Sequence, residues 1–67
     1  MDYYVNKNAQ LGHEHEVHKR TCSYLPDAEN RTYLGDFSSC KDAVKEANNH
    51  YDDVDGCYYC CNDCHTK

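Results

Sequence analysis

Tryptophan is absent from this 67-residue chain, and phenylalanine, methionine and proline occur once each, as Phe37, Met1 and Pro26. The large aliphatics are limited to Leu11, Leu25, Leu34, Val5, Val17, Val44 and Val54. A chain of this length buries only about 60% of its unfolded surface, so a hydrophobic core alone is marginal. With so few apolar side chains, something other than burial must hold the fold. Long apolar runs are missing too, which leaves no candidate for a membrane-spanning helix. The opening MDYYVNKNAQLGHEHE is polar throughout. It has neither the basic start nor the apolar run of roughly 7–15 residues that marks a secretory leader. Taken as a native start, it implies a cytoplasmic protein with reduced thiols. Basic residues are also scarce, seven against twelve acidic, for a formal charge of −5. Nucleic-acid binders neutralise phosphates with a basic patch, and the nearest approach here is His18-Lys19-Arg20. A general nucleic-acid role is disfavoured.

What the chain has in excess is cysteine, six residues in all. Core-poor scaffolds of this size are stabilised by disulfides, a structural metal or oligomerisation. Four of the six cysteines crowd the last thirteen residues, DGCYYCCNDCHTK, where two C-x-x-C pairs lie end to end, followed by His65. The length allows one domain, residues 1–67.

Along the chain, the β-branched and aromatic residues 3–5 read as a short strand, residues 15–18 as a second and residues 31–34 as a third. Residues 22–30, with Pro26 and Asp27, form a turn, and residues 52–56 a loop. The clearest element is a helix over residues 39–51. Ser38 or Ser39 suits its N-cap, and Asp42 lies in the first turn where negative charge favours the dipole. Cys40, Ala43, Val44, Ala47 and Tyr51 fall on one helical face. That placement makes Cys40 a packed, inert thiol, in keeping with the burial of free cysteine.

Structural zinc takes four Cys or His ligands, commonly as a short-spaced pair from each of two segments. His18-x-x-x-Cys22 supplies one such pair. Joined to Cys57 and Cys60, it gives a Cys₃His set that closes a loop spanning more than half the chain. Structural zinc contributes about 10–16 kcal/mol to the folding of small domains. Cys61, Cys64 and His65 are the alternate ligands if the knuckle shifts to the second C-x-x-C.

The features YVNKN, then VHKRTCSYLPDAENRTYLGDFSSCKDAVKEA, then GCYYC resemble the small metal-binding domain of Ada-type alkylation-repair proteins. They also resemble related modules appended to bacterial nucleases and surface proteins. Those run strand, (His/Cys)-x-x-x-Cys, turn, a strand ending in aromatic-Ser, an Ala-bearing helix, then Cys-x-x-Cys. The resemblance covers roughly residues 3 to 60 and implies His18, Cys22, Cys57 and Cys60 as zinc ligands. The sequence departs from it where Asp55-Gly56 leads into Cys57 and where Cys61, Cys64 and His65 are added. In the alkyl-acceptor versions a cysteine of a four-thiolate zinc site takes a methyl group from DNA phosphate. A histidine at position 18 lowers the charge on sulfur and, with the acidic chain, argues against methyl transfer.

Other arrangements fit less well. HEHEVH is not the HExxH of zinc proteases, and His13, His15 and His18 read first as part of a solvated segment. A thioredoxin-like C-x-x-C needs a helix N-terminus beneath it to lower the thiol pKa, and here both pairs follow the helix. A disulfide framework stays open, since six cysteines allow fifteen pairings. The seven tyrosines lack the interleaved Arg and Lys of a nucleic-acid stacking surface and read as replacements for missing aliphatics.

The sequence thus implies a small zinc-stabilised α+β domain: a short antiparallel sheet of two or three strands, one helix across it and a C-terminal Cys-rich knuckle. It implies a monomeric protein-interaction or accessory module with structural Zn(2+), no catalysis, no membrane and an unknown protein partner. The alternatives are a thiol-based redox or metal-sensing protein using Cys61 and Cys64, or a disulfide-stapled extracytoplasmic domain. On the leading reading Cys61→Ser is tolerated, while Cys22→Ser and Cys57→Ser unfold the domain.

Overall fold

Val5 and Val17 have no more than traces of exposed surface and sit opposite each other in the first pair of strands. The computed structural model describes residues 1–66; Lys67, the last residue of the expected module, lies outside them. Strand β1, Asp2–Asn6, pairs antiparallel with β2, His15–Lys19, on one side and with β3, Arg31–Asp36, on the other. On β1 the alternation is plain: Tyr3 and Val5 point into the core, while Asp2, Tyr4 and Asn6 are half-exposed, as the two-residue period of a half-buried strand requires. A register shift between Tyr3 and Tyr4 irregularly offsets β1 from β3. Gly35 lies there with φ +135°, a backbone conformation that glycine adopts without a Cβ penalty.

The helix α1, Cys40–Ala47, follows β3. Ser39 occupies its N-cap position in an extended conformation, and Asp42 lies in the first turn. The predicted face is the packed one. Ala43 and Ala47 are fully buried, which lets the helix backbone approach the sheet closely, and Cys40 and Val44 pack beside them. The helix is shorter than residues 39–51. After Ala47, backbone bonds from Asn49 to Glu46 and from His50 to Ala47 close turns instead, because Asn48 and Asn49 are weak helix formers that favour turns. Tyr51 still reaches the sheet, where its ring stacks on His15 with centroids 3.7 Å apart.

The expected sheet of two or three antiparallel strands gains a fourth. Residues 52–56, read from sequence as a loop, contain β4, Val54–Gly56, which runs parallel to β2 with Val17 opposite Gly56. The sheet order is β3-β1-β2-β4, and the sheet is mixed. Val-Asp-Gly has one strand-former among three residues; the pairing comes from the backbone of β2, through His15 N–H to the Asp53 carbonyl and Cys57 N–H to the Val17 carbonyl, both 2.9 Å.

The core is Tyr3, Val5, Val17, Leu34, Ala43, Ala47 and Cys61. Only part of the tyrosine content replaces aliphatics in it. Tyr24, Tyr33, Tyr58 and Tyr59 are exposed. Among the described residues, no helix is long and apolar enough to cross a membrane.

The C-terminal tail returns over β4. A Cβ on Gly56 would stand 2.7 Å from the Cys61 carbonyl oxygen and 2.7 Å from Cys64 Cβ. Backbone cannot yield as a flexible side chain does. Gly56→Ala is therefore expected to lower the urea unfolding midpoint, by a loss of about 1–3 kcal/mol of the kind overpacking produces. An unchanged midpoint would mean that the tail does not press on this strand.

Candidate metal centre

Near the end of strand β2, His18 is buried on the face opposite Val17. The chain then turns, with Cys22 N–H donating to the Lys19 carbonyl at 3.0 Å, and this brings the Cys22 thiol back toward the strand. From the other half of the chain, β4 delivers Cys57 beside the end of β2. A second turn, closed by Cys61 N–H to the Cys57 carbonyl at 2.8 Å, folds Cys60 inward. The result gathers four side chains: the ligand atoms of His18, Cys22, Cys57 and Cys60 all lie within 4.8 Å of one another.

The spacing fits a tetrahedral ion. With arms of about 2.3 Å, two sulfurs on one zinc stand roughly 3.8 Å apart; Cys22 Sγ and Cys57 Sγ are 3.9 Å apart. Backbone donors point at the sulfurs. Lys19 N–H reaches Cys60 Sγ at 3.2 Å and Tyr24 N–H reaches Cys22 Sγ at 3.4 Å. Cys57 has the N–H groups of Cys60 and Tyr59 aimed at it. Donors of this kind stabilise a thiolate.

His18 supplies the strongest indication of a ligand. It is 2% exposed, and neither Nδ1 nor Nε2 has a hydrogen-bond partner. The nearest carboxylate oxygen, Glu16 Oε1, is 3.7 Å from Nε2, too far for a hydrogen bond. Leaving a buried polar atom unpaired costs about 1–3 kcal/mol, so two on one ring demand a partner, and a metal ion satisfies that demand. Burial lowers the His18 pKa and favours the neutral, ligating imidazole. Burial also pushes the Cys57 and Cys60 thiols up. A divalent ion reverses that balance, because coordination deprotonates thiols outright. The residues present therefore fit a metal ion.

The alternate ligands are engaged elsewhere. Cys64 stands at disulfide-bonding distance from Cys40, their Cα atoms 6.5 Å apart. This corrects the reading of Cys40 as an inert thiol: the helical face was identified properly, but the face meets Cys64 of the returning tail. Cys61 is 2% exposed and belongs to the core, although its Sγ lies 3.7 Å from Cys60 Sγ. It is not a spare surface thiol, and serine there would place a hydroxyl among apolar groups. His65 Nδ1–H points at the Gly56 carbonyl and at Asp55 Oδ2, each 3.0 Å away. Of the other histidines, His15 donates from Nδ1 to the Asn6 carbonyl, and His13 sits in a turn with φ 73°; neither joins the cluster.

Asp55 was not singled out in the sequence. It is 2% exposed and accepts from both the backbone N–H and the hydroxyl of Thr66, at 2.9 and 3.0 Å. With His65 it fastens the tail to β4. An acidic residue in a stretch of aspartates gives no signal that it is the buried one.

Comparison of the chain with protein-family models, with curated proteins and with solved structures finds no match in any of the three.

The two C-x-x-C pairs can now be told apart by mutation. Cys57→Ser is expected to abolish metal retention and the cooperative thermal transition. Cys61→Ala keeps the metal and costs about 1–2 kcal/mol, as a small core truncation does. Metal content by atomic absorption and melting by circular dichroism read both effects. The opposite pattern would move the site to Cys61 and Cys64.

Proposed function

We propose that the chain is a structural-zinc module, an accessory or protein-interaction domain without catalysis, held by His18, Cys22, Cys57 and Cys60. The observation that carries this reading is the buried His18 ring, unpartnered at both nitrogens, beside three sulfurs. Three soft sulfurs and one imidazole suit zinc better than the hard, oxygen-seeking cations. Four protein ligands close the tetrahedron and leave no position for a reactive water, so the metal's role is to hold the fold. The ligand-bearing segments come in the order of the Ada-type resemblance, and the reading extends that resemblance to the metal alone. With histidine replacing one thiolate, methyl transfer is not part of it.

A second reading gains support from the Cys40–Cys64 pair. A disulfide there would staple the helix to the tail, as in domains that work in oxidising compartments. The two readings combine without conflict, because the pair shares no cysteine with the metal cluster.

Intact mass separates them. Protein purified without reductant or chelator is expected to show, under native conditions, one adduct of about 65 Da for a single zinc. Denatured, the same sample is expected to run about 2 Da light for one disulfide. Removing the metal with a strong chelator is expected to abolish the folded signal in near-ultraviolet circular dichroism, and added zinc to restore it. A chain about 6 Da light with no metal, hence three disulfides, would overturn the zinc reading.

A further inference from the structure

Three exposed tyrosines surround one mouth of the candidate metal centre. Tyr24 follows Cys22 by two residues, and Tyr58 and Tyr59 lie between Cys57 and Cys60. They are 59%, 56% and 67% exposed, an unusual amount of aromatic surface for a chain whose core is short of apolar groups. The rings are ordered relative to one another. Tyr24 and Tyr59 stack with centroids 4.4 Å apart, and Tyr58 stands at 89° to Tyr59, its centroid 5.2 Å away. Tyr58 in turn meets the His65 ring edge-on at 5.4 Å, and Asn62 Nδ2 holds the Tyr58 carbonyl at 3.1 Å.

These rings line a cavity of about 350 Å³ with Glu16 on its wall and His18 and Cys57 beneath. The Glu16 side chain is 20% exposed. Among the described residues, no lysine or arginine forms an ion pair with it. With a divalent ion bound beneath, its charge and the three thiolates would sum to −1, so the floor would offer no positive charge to oppose a cation. The cavity thus combines aromatic faces with one carboxylate, whose charged neighbours include His65 but no lysine or arginine, on a chain of net charge −5.

We propose that this cavity receives an arginine side chain from a basic segment of a partner protein. A guanidinium uses both features at once. Its plane stacks on a tyrosine ring and its N–H fork pairs with a carboxylate. The chain already shows the first half of that chemistry internally, where the Arg31 guanidinium lies 4.7 Å above the Tyr4 ring. Nucleic acids bring phosphates to an acidic wall and are repelled. A choline lipid carries its phosphate within a few bonds of its ammonium and meets the same repulsion. Tyrosine and arginine are also the side chains most often found to dominate protein interfaces. The inference rests on the metal reading, because the three rings are carried on the two ligand-bearing turns.

The test uses the full chain, with its zinc content first established by native mass. The probe is the blocked peptide Gly-Arg-Gly, with Gly-citrulline-Gly as the neutral isostere and tetramethylammonium as a cation that cannot form the fork. Ring-proton shifts of Tyr24, Tyr58 and Tyr59 report binding directly, and the absence of tryptophan leaves tyrosine fluorescence as a second readout. Saturable binding of the arginine peptide is expected with a Kd on the order of 1 mM, as a single side-chain contact allows. The citrulline peptide and tetramethylammonium should bind at least about fivefold more weakly. Tyr59→Leu and Glu16→Gln should each weaken the arginine peptide by a similar factor. Equal binding of citrulline or of tetramethylammonium, or a zinc-loaded Tyr59→Leu that binds as the parent does, would overturn the inference and leave the metal reading intact. A chain that carries no zinc would overturn both.

Discussion

The hydrogen bond from Cys57 N–H to the Val17 carbonyl, 2.9 Å long, joins two parts of the chain that are forty residues apart. It is the last rung of the parallel pairing between β2 and β4, and it sets Cys57 beside the strand that bears His18. Shift that register by one residue and the side chains of β4 and its continuation exchange faces, which removes Cys57 from the cluster. The strand is only three residues long, so it is not an independent source of stability. Its register is fixed from both ends, by the Asp53 carbonyl at its start and by the tail packed over Gly56.

The C-terminal tail is fastened at several points of different chemistry. Cys64 reaches the helix at Cys40, Thr66 and His65 reach Asp55, and Cys61 fills the core beneath. A chain with few aliphatics has little apolar surface to bury, and at about 0.8 kcal/mol per buried methylene each added cross-link matters more than it would in a larger domain. Small buried side chains serve the same end. Ala43 and Ala47 bring the helix backbone against the sheet, and Gly56 brings the tail against β4. Close backbone approach stands in for bulky packing.

The tyrosines divide by position rather than by type. Tyr3 points into the core because it shares a strand face with Val5. Tyr24, Tyr58 and Tyr59 stay outside because they ride on the turns that point their neighbouring cysteines inward. In a C-x-x-C turn both thiols face one way, so the intervening residues face the other. That constraint explains why aromatic surface accumulates around the candidate metal centre and why a binding role for it arises there.

The amino-acid sequence by itself determined the class of the fold, the three antiparallel strands, the buried face of the helix and the candidate ligand pairs. Those depend on local periodicity and on short spacings such as His18-x-x-x-Cys22 and Cys57-x-x-Cys60, which fix side-chain direction within one turn. Only the tertiary structure decided the rest, the choice of Cys57 and Cys60 over Cys61 and Cys64 included. Cys40 was placed correctly on an inward face, yet its partner stands 24 residues away, and no spacing rule selects Cys64 over Cys61. The same limit hid β4, whose Val-Asp-Gly carries almost no strand preference and pairs only because β2 offers it an edge. Asp55, identical by composition to Asp52 and Asp53, became the buried one for the same reason. Local chemistry can say which way a side chain points; what it meets there depends on chain segments brought together by folding.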